Sequence, residues 1–79
     1  LALTLKNYIT MKIISKKLVK TYNKLNDTLH IMQKDKGVSP EIFNKVLDTR
    51  TNIHDILINS LDVLPHNDKT KILNKIKRL

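Results

Sequence analysis

The sequence predicts an all-α fold: a small antiparallel helical bundle of three helices, or four if the first segment breaks, with two long helices and a short C-terminal one. Three observations carry this. One glycine and two prolines in 79 residues leave few turns, so the elements between them must be long. Apolar residues recur at spacings of three and four along both long segments, the period of a helix with one buried face. The breakers Gly37, Pro40 and Pro65 stand where such helices need to end or begin.

The first helix is expected over about 5–35. Met11, Ile14, Leu18, Tyr22, Leu25, Leu29 and Met32 fall within about 80° of one another when each residue turns the helix by about 100°. Gly37 follows and can take the left-handed conformation that ends a helix. The second helix is expected over about 40–64, opened by "VSPEIF": Ser39 caps the first turn, Pro40 has no amide to leave unpaired, and Glu41 sits at the positive end of the dipole. Its stripe is Phe43, Val46, Ile53, Leu57, Leu61 and Leu64, with Glu41, Asp48, Asp55 and Asp62 every seven residues on the other side. "DTRTN" at 48–52 argues against continuity, because Thr and Asn form helices poorly; the unbroken acidic line argues for it. Pro65 stops this helix, and Asn67 or Asp68 can cap a third at about 68–79, with Ile72, Leu73, Ile76 and Leu79 on one face.

All of this makes one domain, residues 1–79. The short link around Gly37 sets the long helices side by side, packed left-handed near about 20°. The third helix is then expected beside the start of the first, over Tyr8, Ile9 and Ile13; a second copy of the chain is the rival cover for them. Arg50 falls among the apolar stripe, where its long stem can lie on apolar surface while its head reaches water or a carboxylate.

No cysteine is present, which fits a reducing compartment, and no stretch approaches the roughly 20 apolar residues of a membrane span. Lys6 and Lys12 interrupt the first apolar run, so it makes a poor signal peptide. The expected location is cytoplasmic. The chain begins with Leu1 rather than Met, which reads as a fragment or a processed product.

Little here points to catalysis. His30, His54 and His66 lie on different segments without an i, i+4 partner, so no metal site is expected. A single glycine cannot build a phosphate loop. The heptad-spaced acids stand about 10 Å apart along the axis, too far for an acid–base pair. No catalytic residue and no cofactor is expected, and the chain reads as a non-enzyme.

The charge is the stronger signal. The formal net charge is +8; residues 1–36 contribute +6, residues 37–65 −2 and residues 66–79 +4. Lys12, Lys16, Lys20 and Lys24 form a strip facing away from the apolar seam, and Lys75, Lys77 and Arg78 add a basic end. The commonest fate of such a strip is a solvated face. As a working surface it suits an anionic partner: a protein first, nucleic acid through phosphate contacts, or peripherally an anionic membrane. Two arginines and three aromatic residues are few for reading or stacking bases.

From residue 18 onward, and most clearly in "KDKGVSPEIFNKVLDTRTNIHDILINSLDVLPHNDKTKILNKIKRL", the pattern resembles the immunity proteins of pediocin-like bacteriocins. That family similarly runs a helix into a Gly-containing turn, a long amphipathic helix, a Leu-containing corner and a lysine-rich helix. The resemblance implies a small cytoplasmic antiparallel bundle from a low-GC Gram-positive bacterium. It implies self-protection by binding a receptor–bacteriocin complex, without catalysis. The family usually has four helices, whereas the first segment here has no clear break unless "NKLND" or Ser15 supplies one. The expectation is therefore a protein-binding helical bundle of immunity type. A small basic nucleic-acid-binding domain is the alternative, and an oligomerisation or scaffold fragment of a larger protein the third.

Overall fold

A computed structural model of the chain describes residues 5–76, with side chains from residue 7. It is all-helical, with three helices and no strand among the described residues: α1 (Leu5–Lys34), α2 (Pro40–Leu61) and α3 (His66–Leu73). The first segment does not break: α1 is 30 residues of uninterrupted helix. α2 runs through 48–52 as well. There Thr49 and Thr51 turn their hydroxyls back onto the carbonyls of Lys45 and Leu47, at 2.8 and 3.2 Å. That bond answers the hydroxyl within the helix, so the poor formers do not interrupt it.

The turn after α1 is built differently from the expectation. Gly37 does not adopt a positive φ. Instead the Gly37 amide donates to Asp35 Oδ1 at 2.8 Å and the Val38 amide to the Asp35 carbonyl at 3.3 Å. The aspartate side chain supplies the reversal that a left-handed glycine would otherwise give. At the start of α2, Ser39 Oγ accepts from the Glu41 amide at 3.2 Å, with Pro40 in the first turn.

α2 stops at Leu61 rather than near 64. Pro65 excludes the helical conformation from the residue before it, so the chain must leave the helix earlier; the Leu64 amide closes the corner onto the Leu61 carbonyl at 3.0 Å. Pro65 is itself the cap position of α3, whose first turn has no side-chain cap, so neither Asn67 nor Asp68 caps it. The third helix also ends at Leu73 instead of running to 79. Lys75 and Ile76 donate to Ile72 and Leu73, i to i−3, in a tightened last turn at 3.1 Å each. Residues 77–79 lie outside the described residues.

Contacts between the long helices climb one helix while descending the other. Ser15 meets Ser60, Tyr22 meets His54 and Asn26 meets Arg50. α3 instead climbs with α1, from Tyr8 against Asp68 to Asn23 against Lys75. The core lies where all three meet: Val19, Leu57, Leu61, Leu64 and Ile72, with Tyr8, Met11, Leu18, Leu73 and Ile76 packed around it. Beyond Asn23 only two helices remain, and Leu29 is the buried apolar residue there.

The buried face of α1 is turned from the one expected. Ile14 is 40% exposed, and Leu25 is only half-buried. Ser15, Val19 and Asn26 are buried in their place. α1 packs against two neighbours rather than one, so the centre of its buried arc falls between α2 and α3. Tyr8 meets α3, whereas Ile9 and Ile13 stay about half exposed, uncovered by it.

Candidate functional site

The basic residues of the sequence take different roles in space. Lys12 is half-buried, with its ammonium 3.5 Å from Asp68 of α3 and 5.4 Å from the centre of the Tyr8 ring. Tyr8 donates its hydroxyl to the same carboxylate. That bond, helped by the charges of Lys12 and Lys71 and opposed by partial burial, holds the Asp68 carboxyl below its ordinary value. The Tyr8 phenol is pushed up by donating to Asp68, by burial and by the carboxylate charge. Lys12 is thus part of the latch that fastens α3 to the start of α1.

Lys16, Lys20 and Lys75 come together instead. With Val19, Asn23 and Ile72 they line a cleft of about 360 Å³ between α1 and the end of α3. Lys16 and Lys20 stand one turn apart on α1. Lys75 arrives from the far end of the sequence, because Asn23 Nδ2 donates to the Lys75 carbonyl at 2.9 Å and fixes that turn against α1. The floor is Val19 and Ile72, both almost fully buried. No carboxylate lines the cleft, and none lies within ion-pair distance of these three lysines among the described residues.

Three ammonium groups around an aliphatic floor place positive charge beside apolar surface, a combination whose chemical complement is an anion with an apolar body. The heads attract charge, and their stems and the floor accept methyl groups. The volume lies at the lower end of the roughly 300–1,000 Å³ of ligand sites. Lys24 is exposed on the same helix but outside the lining, and Lys77 and Arg78 lie outside the described residues.

A second hollow, of about 220 Å³, is lined by Tyr22, Arg50, Thr51 and His54. Its groups are engaged in packing. Arg50 Nη1 donates to the buried Asn26 Oδ1 at 3.1 Å, with its guanidinium 6.0 Å from the Tyr22 ring centre. The head of Arg50 therefore finds an amide rather than the expected water or carboxylate. His54 packs on Tyr22, ring centres 5.8 Å apart. No group of three or more His, Cys, Asp or Glu gathers to hold a metal among the described residues.

Sequence reasoning finds the lysines but not the cleft. Val19 lies off the expected seam, and Lys75 and Lys16 are 59 positions apart. Asn23, an exposed-looking polar residue one turn from Lys20, was the available signal. No helix of the described residues is long and apolar enough to cross a membrane. No protein family, no curated protein and no solved structure matches this chain.

Proposed function

We propose that this chain is a non-enzymatic helical bundle, its long helices antiparallel, that binds a protein partner at the Lys16–Lys20–Lys75 cleft. One observation carries the reading: three lysines from two separate parts of the chain converge on an aliphatic floor with no acid among the described residues that line it. The complementary feature is a carboxylate beside an aliphatic side chain on the partner. Attraction between the rim and that carboxylate speeds encounter and sets orientation, while the floor of Val19 and Ile72 adds apolar contact.

The most specific form of this proposal is a cytoplasmic protein of bacteriocin-immunity type, supported by the run of residues 34–79 that resembles that family. The test is production of the chain in a cell sensitive to a pediocin-like peptide. The wild type should protect, and Lys16→Gln, Lys20→Gln and Lys75→Gln together should remove protection while leaving the helical content unchanged. Absence of protection by the wild type ends the immunity reading. Protection retained by the triple variant ends the cleft reading. Polyanion-column retention that collapses between about 50 and 200 mM salt marks a nucleic-acid binder instead.

A further inference from the structure

We propose that α3 is a clasp whose docking and the filling of the lysine cleft are one coupled event, a coupling that rests on the cleft reading above. Undocked α3 leaves no complete site, and an occupant of the site holds α3 in place.

The cleft has two halves. Lys16, Val19, Lys20 and Asn23 belong to α1, whereas Ile72 and Lys75 belong to α3 and the turn that follows it. Release of α3 removes half of the floor and the third ammonium group together. α3 is also the element most easily released. It has eight residues and no side-chain cap, well short of the roughly 12–15 that hold a helix alone in water. Such a segment opens locally at lower cost than the two long helices part.

Charge gives the coupling its sign. At the start of α3 opposite charges meet: Lys12 stands 3.5 Å from Asp68, and Lys69 Nζ donates to Asp62 Oδ1 at 3.0 Å. At its far end like charges meet. Docking carries Lys75 to Lys16 and Lys20, and no carboxylate lies within ion-pair distance of the three among the described residues. The neutral bond from Asn23 to the Lys75 carbonyl holds the turn in place against that repulsion. An anion in the cleft replaces repulsion by attraction, so it stabilises the docked state. By linkage, the docked state in turn binds the anion more tightly.

Hydrogen exchange of amides 69–76 in the full chain reads this coupling, with the acetylated tripeptide of Glu, Leu and Glu as the probe. The probe sets three carboxylates around one isobutyl group; the amidated tripeptide of Gln, Leu and Gln is its uncharged control. At about ten times the probe's Kd, exchange at 69–76 should slow about tenfold. Amides 27–34 should not respond, and the control at matched ionic strength should have no effect. Without probe, Lys16→Gln with Lys20→Gln should slow the amides of 69–76 roughly twofold at low salt, and added salt should erase that gain. Probe-induced shifts of the Lys16 and Lys20 side-chain signals with unchanged exchange at 69–76 overturn the coupling and leave the cleft reading standing. No shift at any of the three lysines ends both. Unaltered or faster exchange in the double variant also overturns the coupling, because the lysines then do not oppose docking.

Discussion

Ser15 has no exposed surface, and its hydroxyl lies 2.9 Å from that of Ser60, which in turn donates to the Leu57 carbonyl at 2.8 Å. A serine has one proton to give, so Ser15 is the donor of the pair. Two small side chains also let the long helices approach closely here. Ser15→Ala should cost about 1 kcal/mol in denaturant unfolding. Ser15→Ala with Ser60→Ala should cost less than the two singles added, because they share one bond; strict additivity would show the pair to be uncoupled. Leu57→Ala should cost about 2–5 kcal/mol, since its side chain is fully buried. Leu25→Ala should cost less, its residue being only half-buried. The leucines were legible in sequence because spacings of three and four survive any small rotation of the helix. Ser15 and Asn26 were not, because each hydrogen-bonds to a residue far along the chain and polarity alone assigns both to the surface.

α3 has eight residues and no side-chain cap, too few to hold a helix alone in water. Its order comes from docking: Tyr8 and Lys12 on Asp68 at one end, Asn23 on the Lys75 carbonyl at the other. Tyr8→Phe should lower the melting temperature at neutral pH and speed amide exchange in α3 more than in the centres of α1 and α2. The lowered carboxyl of Asp68 gives this latch a stabilising contribution that is complete above about pH 4 and fades as pH falls through the lowered value. The raised phenol of Tyr8 keeps it in place until pH climbs above about 10. The melting difference between Tyr8→Phe and wild type should therefore close in acid. A difference that persists unchanged at pH 2 would mean the hydrogen bond is not its source. The existence and order of the helices could be read from the sequence. Their ends could not, because Pro65 acts on the residue before it and Asp35, rather than Gly37, makes the reversal.

The whole molecule is a rod, 49 × 19 × 14 Å, with a radius of gyration of 14.9 Å where a compact chain of this length has roughly 12 Å. Three helices share a core at one end, and two helices pair at the other. Charge is segregated across the rod: exposed lysines lie on α1, and exposed Glu41, Asp48 and Asp55 lie on α2, with Asp62 just past its end. That segregation was visible in sequence as two periodic lines. Which lysines would converge was not, because it depends on where α3 comes to rest. Hydrogen exchange should be graded along the rod, with amides of 27–34 and 42–48 opening before those of 15–22 and 57–61. Uniform protection would contradict a core confined to one end.

The turn at Asp35–Ser39 closes the two-helix end, so warming should fray the rod there first, as a clothes-peg opens at its jaws. Val19, Lys16 and Lys20 sit near the sprung end, on the last stretch of α1 to loosen. A protease should cut first at that tip, and the cut should leave the three-helix end still packed.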